Sequence, residues 1–441
     1  MNSASALDDL RSEPDPDRTP GPRSGPLQGI TVTDFCWMGV GSLATRLLAD
    51  FGARVIRIED RKRLDMPRRL PFYKGAGLRS YGEELVDPDP NLGGCFNNYN
   101  RNKLGVTLNM SAPEGRALAE RLISISSVLT ENFAPGVMEK WGLTESHVRE
   151  LRPDIIYARM SGFGHSGPYA DYRSWGPVVQ AICGLSGISG LPEREPSGWG
   201  LSYMDNQAAY YNSVGILAAI FARNRGAGGC DLDVSAVEAG IELLGPTLLD
   251  AGVNGRSTRR PDFPSGNRLD HPAAAPHGVY PSTGTDRWVA IAVFGDAEWT
   301  RFMTALGHPA WTEDPEFATE QARFDHQDRL DAHISEWTRI RTGHEAMETL
   351  QAAGVRAAAV QTAEDINETD PQIAFRGTFF ELDHPVIGEA RFEGVPFQAS
   401  TFEPDHWRSG PLLGEDVGYV FGELLGLSES EIKDLAEREV L

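Results

Sequence analysis

One aspartate stands where a carboxylate could act as a nucleophile. Asp205 closes a Gly/Pro-rich stretch, 161–204, and opens a helical pattern over Asn206–Arg223. A carboxylate at such a junction accepts first-turn N–H bonds and feels the positive end of the helix dipole, and both keep it ionised. An N-cap and a nucleophile presented at a loop–helix junction both fit this position, so local chemistry leaves the two readings open. The loop Gly162-Phe163-Gly164-His165-Ser166-Gly167-Pro168-Tyr169 follows a predicted strand. Open α/β sheets bind ligands at such strand ends, although a plain turn explains the same residues. Gly39-Val40-Gly41-Ser42-Leu43-Ala44 fits the dinucleotide pattern G-x-G-x-x-A, with Glu59 closing the next strand. Cys36-Trp37-Met38 intervene between that strand and the first glycine, however. A glycine turn entering a helix accounts for the pattern equally, and a helix N-terminus receives phosphate in either case. No P-loop, Gly-x-Ser-x-Gly elbow or His-x-x-x-His pair occurs in the sequence, which removes support for ATP-driven, serine-hydrolase and zincin chemistry.

The elements that must position these residues follow from the pattern of apolar residues. The 441 residues imply two to three domains. Residues 1–26 hold five prolines, five acidic residues and no apolar signal core, so they read as a solvated tail. Strand and helix then alternate: Ile30–Phe35, Ser42–Asp50, Arg54–Ile58, Gly105–Leu108, Pro113–Ser124, Val128–Thr130, Glu145–Leu151 and Ile155–Met160. That alternation implies a parallel sheet. After the irregular stretch come a strand at Asp231–Val234 and a helix at Ala236–Ala251. Residues 252–276 read as a linker. A second α/β unit spans 277–377, with strands at Trp288–Val293 and Ala357–Val360 and helices at Glu298–Leu306, Arg323–Trp337 and His344–Ala353. Residues 378–441 hold short strands and helices at Glu415–Leu425 and Glu429–Glu437, the last opened by a Ser428/Glu431 capping box.

With 41 Lys+Arg against 63 Asp+Glu, the net charge of −22 excludes a nucleic-acid binder and an anionic membrane surface as partners. The four cysteines form no C-x-x-C pair, and free thiols fit a reducing compartment. The longest apolar stretch, Gly215–Ala222, falls far short of the ~20 residues of a spanning helix. A cytoplasmic location is expected.

An ordered set of segments carries a family resemblance. It runs from Pro26-Leu27-Gln28-Gly29-Ile30 through Ala49-Asp50-Phe51-Gly52-Ala53, Ile58-Glu59, Asn102-Lys103, Leu108-Asn109 and Glu131-Asn132-Phe133-Ala134-Pro135-Gly136. The Ser161–Tyr169 loop, Asp205 and Gly215-Ile216-Leu217-Ala218-Ala219 follow, then Gly266-Asn267, Ala275-Pro276, Trp299, Asp314-Pro315 and Leu412-Leu413-Gly414-Glu415. From about residue 26 onward the chain resembles the family III CoA-transferases, which include formyl-CoA and carnitine CoA-transferases and α-methylacyl-CoA racemase.

The resemblance implies an α/β fold. Its large Rossmann-like domain is built from both termini (27–251 and 378–441), with a smaller α/β domain between, in an interlocked, ring-shaped homodimer. It implies transfer of CoA from an acyl-CoA to a carboxylic acid, with Asp205 forming an acyl anhydride and then an aspartyl-CoA thioester. The CoA thioester is a substrate, and no permanently bound cofactor is implied. The same resemblance places Trp37, Met38, Gly39 and Val40 along the acyl and pantetheine channel. Leu108 matches an adenine-side position, Asn132 and Phe133 match CoA contacts, and Lys140 and Arg173 match basic positions. His271 stands near the place of a glycine-only loop in formyl-CoA transferase, which argues against formyl/oxalate specificity. Where the racemase carries a His-Asp base pair this chain has Trp175 and Gly176, which leaves racemisation without its first base. A nicotinamide oxidoreductase, resting on the glycine pattern, and a non-catalytic acyl-CoA binder are the remaining alternatives.

CoA is itself a polyanion. The global charge does not exclude it, because charges beyond a Debye length of about 8 Å are largely screened. What the acidity requires is a local pocket rich in N–H groups and basic side chains, with Lys140, Arg173 and the helix after Gly41 as its candidates.

Overall fold

The computed structural model describes residues 24–70, 89–190, 194–257, 266–270 and 272–441. Most of the expected tail (1–23) and parts of the expected linker (258–265 and His271) lie outside the described residues. The chain forms two compact units. One comprises residues up to Leu185, Gly198–Gly245 and Arg376–Leu441; the other comprises Ser186–Ser197 and Pro246–Phe375.

The first unit is built on a six-stranded parallel sheet. Its strands are β1 (Thr31–Asp34), β2 (Arg54–Glu59), β3 (Leu104–Thr107), β4 (Val128–Glu131), β5 (Ile156–Ser161) and β6 (Cys230–Ser235). Their spatial order is β3-β2-β1-β4-β5-β6. Val32 of β1 lies beside Val55 of β2 on one side and Val128 of β4 on the other. The central strands are buried along their whole length, as a parallel sheet covered on both faces requires. The covering helices are α1 (Val40–Asp50), α2 (Gly94–Tyr99), α3 (Pro113–Ile125), α4 (Glu145–Leu151), α5 (Gly176–Ile182), α6 (Tyr203–Ala222) and α7 (Ala236–Ile241). One core gathers Phe35, Ile56, Ile58, Val106, Leu122 and Leu129; a second gathers Val32, Leu48, Val55, Val128, Ile156 and Ile216.

The C-terminal segment returns to this unit. The Asp416 N–H donates to the Gly105 carbonyl at 2.9 Å, and the Gly105 N–H donates to Asp416 Oδ2 at 2.6 Å. Buried Arg408 Nε reaches the Lys103 carbonyl at 2.9 Å.

The second unit holds a three-stranded antiparallel sheet with Trp288–Ala292 between His277–Pro281 and Arg356–Val360. Its core contains Val289, Ile291, Trp299, Phe302, Phe317, Leu330, Ile334 and Leu350. Two expected helices are broken in the structure. The pattern over Ala236–Ala251 divides before Gly245-Pro246: α7 stops at Ile241, a 3-10 turn covers Glu242–Leu244, and a new helix covers Gly245–Asn254 with Pro246 in its first turn, where a missing N–H costs nothing. The pattern over Arg323–Trp337 divides at His326, into Glu320–Asp325 and Gln327–Thr338. Among the described residues no helix is long and apolar enough to cross a membrane, and no group of three or more His, Cys, Asp or Glu side chains is placed to hold a metal ion.

Candidate active site

The strand order reverses between β1 and β4. The loops leaving their C-terminal ends part there, and the crevice between them is where open α/β sheets bind ligands. The two loops are tied together by one side chain. Asn132, just past β4, accepts from the Trp37 N–H at 2.6 Å and donates to the Trp37 carbonyl at 2.8 Å. Gly41 is demanded by this closeness, since a Cβ there would lie 2.4 Å from Cys36 Sγ and 3.2 Å from Asn132 Cγ. Met38 adopts a left-handed backbone (φ 59°), uncommon for a side chain of its size, and its N–H donates to Asp65 Oδ1 at 3.1 Å.

Beneath this loop lies a layer of buried ions. Arg57 donates to Asp65 Oδ2 at 2.5 Å, to Ser42 Oγ at 3.1 Å and to the Cys36 carbonyl. Lys103 Nζ reaches Asp34 Oδ2 at 3.2 Å, the Ser42 carbonyl at 2.8 Å and Thr45 Oγ1 at 2.7 Å. Arg68 clasps Glu59 through two bonds of 2.9 and 2.7 Å. Burial works to raise the pKa of Asp34 and of Glu59, but Lys103 and Arg57 outweigh it for Asp34, and Arg68 for Glu59, so both carboxyls sit below their usual range. Burial also pushes Lys103 down, to about 8, against the pull of Asp34. With Glu59 fully engaged by Arg68, the glycine pattern lacks the free carboxylate that a dinucleotide ribose requires.

Asp205 sits over the loop. Its helix begins at Tyr203, with Ser202 before it, so Asp205 is the third helical residue, which removes the N-cap reading of the two that the sequence left open. Its N–H donates to the Ser202 carbonyl at 3.0 Å. Two glycine positions face its carboxylate. A Cβ at Gly39 would lie 3.7 Å from Oδ2, and a Cβ at Gly176 would lie 3.1 Å from Oδ1 and 2.7 Å from Ser202 Cβ. Burial alone pushes the Asp205 pKa up to about 6. This corrects the expectation that capping bonds would hold the carboxylate ionised: among the described residues no capping bond or neighbouring cation offsets the loss of water.

The structure thus brings Asp205, Gly39, Gly176 and the Trp37–Val40 loop together. Val40 and Tyr203 both pack on the cluster containing Met204 and Val179. Phe133 stacks edge-on with Trp37 (6.0 Å) and Trp141 (5.5 Å), and Arg63 lies 5.1 Å over the Trp37 ring. Leu108 is only 1% exposed and belongs to the core, so its side chain offers little surface to a ligand. Lys140 and Arg173 are exposed, and no contact joins either to Asp205. His165 faces Glu131 across 3.4 Å. Burial raises Glu131 to about 8 despite the Phe133 N–H donated to it at 2.6 Å.

Three neighbours escaped the sequence reading: Asp65, Arg63 and Tyr99. Asp65 and Arg63 belong to a mixed-charge stretch that reads as surface. Tyr99 ends α2 and lies against Gly39, 3.6 Å from its Cβ position to Cε2; its place depends on sheet order, which no local pattern signals.

The CoA-transferase family III model matches residues 27–417. Succinyl-CoA–D-citramalate CoA-transferase of Chloroflexus aurantiacus is 32% identical over 417 residues, 94% of this chain and 98% of that protein. Formyl-CoA:oxalate CoA-transferase of Escherichia coli is 30% identical over 435 residues, 95% of this chain and 100% of that one. The crystal structure of a CaiB/BaiF family protein from Brucella suis matches with a TM-score of 0.78 at 26% identity, over 91% of this chain and all of its own. Glycine loop, switch-point crevice and full-length likeness meet in one assignment: the chain belongs to the family III CoA-transferases and is a CoA-transferase.

Proposed function

We propose that this enzyme moves CoA from an acyl-CoA to a free carboxylic acid through covalent intermediates on Asp205. The observation that carries the reading is a half-buried carboxylate that meets no cation among the described residues, its two oxygens bordered by Gly39 and Gly176. Loss of water makes such a carboxylate a stronger nucleophile, and a pKa of about 6 leaves it ionised at neutral pH. It attacks the donor thioester carbonyl and expels CoA thiolate, leaving a mixed anhydride. The thiolate attacks the aspartyl carbonyl, the donor acid departs, and an aspartyl-CoA thioester remains. The acceptor carboxylate then displaces CoA as a second anhydride forms, and the thiolate takes the new acyl group and frees Asp205. Each step exchanges one activated acyl bond for another, with no net proton or electron.

Helix α1 supports this scheme. It starts at Val40 without a side-chain cap, and its N-cap residue, Gly39, borders Asp205. Its first-turn N–H groups and dipole favour the negative charge that develops there. Asn132 acts by fixing Trp37, while Lys140 and Arg173 supply positive charge for CoA phosphates. The names of the relatives make succinyl-CoA, with small hydroxy- and dicarboxylic acids, the first substrates to assay. A racemase reading finds no base at Trp175 or Gly176; Gly176 packs on Asp205 itself.

The test is mass spectrometry after incubation with succinyl-CoA and hydroxylamine. A hydroxamate on Asp205 is expected, and Asp205→Ala is expected to lose transfer about a thousandfold or more while still binding CoA. A hydroxamate elsewhere, or unchanged transfer in the variant, would overturn the reading.

We also propose a homodimer. Tyr210, Val214, Leu217 and Phe221 form an exposed stripe on α6, opposite its buried Ala209, Asn212, Ile216 and Ile220. A helix apolar on all sides needs a cover, and an identical stripe on a second copy provides one. Analytical ultracentrifugation is expected to show twice the chain mass; a monomer at micromolar concentration would count against it.

A further inference from the structure

Tyr99 is set against the Asp205 carboxylate with only a missing side chain between them. A Cβ at Gly39 would lie 3.6 Å from Tyr99 Cε2 and 3.7 Å from Asp205 Oδ2. Glycine is not needed at that position for its own sake. Its backbone is ordinary (φ −79°, ψ −57°), and both contacts would be normal van der Waals approaches. Gly41, Gly93 and Gly176 differ, since a Cβ at each would press to within 2.4–2.7 Å of its neighbours. Capping chemistry would even prefer Ser, Asp or Asn at the N-cap of α1. What Gly39 leaves is an open passage from the tyrosine ring to the carboxylate.

Tyr99 is also firmly placed. Its helix α2 begins beside Gly93, clamped against the Pro67 and Arg68 backbone, and Phe96 in the same helix lies 3.5 Å under the Arg68 guanidinium. The ring is partly exposed, and among the described residues its hydroxyl has the Cys95 thiol one turn earlier as its neighbour, a weak acceptor that a carbonyl oxygen displaces readily. Burial, the Cys95 sulfur and the charge of Asp205 push the phenol pKa up to about 12, so the hydroxyl keeps its proton throughout the working range.

We propose that Tyr99 is a catalytic residue of the transfer reaction, its phenol O–H reaching past Gly39 to donate a hydrogen bond to the acyl oxygen that becomes negative as Asp205 is acylated. The phenol transfers no proton; the bond strengthens as the oxygen gains charge and relaxes as the carbonyl re-forms. This rests on the reading of Asp205 as nucleophile and adds a donor that the helix N-terminus does not supply.

Tyr99→Phe and Tyr99→Leu separate a hydroxyl role from a packing role. Tyr99→Phe is expected to lower kcat about 10–100-fold, with the KM for acyl-CoA within about threefold, and to retain the wild-type melting temperature. The Asp205 hydroxamate should still form, but correspondingly more slowly. Wild-type kcat in Tyr99→Phe, with loss only in Tyr99→Leu, would overturn the proposal and assign the ring to packing. A rise confined to KM would overturn it as well. Absence of an Asp205 hydroxamate in the wild-type enzyme would instead overturn the nucleophile reading, so the two failures are distinguishable.

Discussion

The carboxylates around the Trp37–Val40 loop are treated in two opposite ways. Below it, Asp34 and Glu59 are wholly inside the protein, and each meets a cation: Lys103 for the first, Arg68 for the second. Above it, Asp205 has lost much of its water and meets no cation among the described residues. The paired set is scaffolding, because its charges are spent on one another and on the loop backbone. The unpaired group holds its lone pairs in reserve. Burial alone therefore does not mark a reactive carboxylate in this molecule, and a raised pKa does not either, since Glu131 is raised as well; Asp205 is set apart by the glycine positions and helix N-terminus that border it.

The contrast predicts different responses to removing a charge. The largest effect is expected below the loop. Lys103→Met strands Asp34 in the interior, and breaking a buried pair in this way costs about 3–5 kcal/mol. Guanidinium denaturation measures it, and a loss below about 1 kcal/mol would end the scaffold description.

Above the loop the sign reverses. An aspartate free in an unfolded chain titrates near 3.9, so a folded pKa of about 6 means that the native state binds the extra proton. The cost of keeping Asp205 ionised is absent below about pH 4. It grows as pH rises toward 6 and is complete above that. Asp205→Asn should therefore be more stable than wild type by on the order of 1–3 kcal/mol at pH 8, allowing for partial exposure. Melting curves at pH 8 and pH 4.5 test this, since the gain should shrink at the lower pH. A destabilised variant at pH 8 would show that the carboxylate is compensated after all.

The same contrast explains what the sequence disclosed. The parallel sheet was legible because strands such as Val32 and Val55 sit in short apolar runs separated by helical periods. Asp205 was legible by position, but its protonation was not. The sequence pattern starts the helix at Asn206 behind Asp205, whereas the structure starts it at Tyr203 and forms no side-chain cap at Ser202. The carboxylate is left for other work, and only its surroundings reveal that. The charge layer was hidden for a related reason. Arg57, Asp65 and Lys103 look like surface residues in a linear reading, and only the stacking of β1, β2 and β3 turns them inward against one another. Tyr99 is 60 positions from Gly39 and 106 from Asp205; three separated segments meet there through the strand order.

The return of the C-terminal segment to β3 has a consequence for biosynthesis. β3 is an outer strand, and the groups that cover its edge at Gly105 belong to Asp416, 311 residues later in the chain. A ribosome adding 5–20 residues per second needs roughly 15–60 s to make that interval. Throughout that time the nascent sheet presents an open hydrogen-bonding rim to its neighbours on the polysome, so the yield of this protein in a cell should depend on elongation speed and on chaperone supply more than its finished stability would imply.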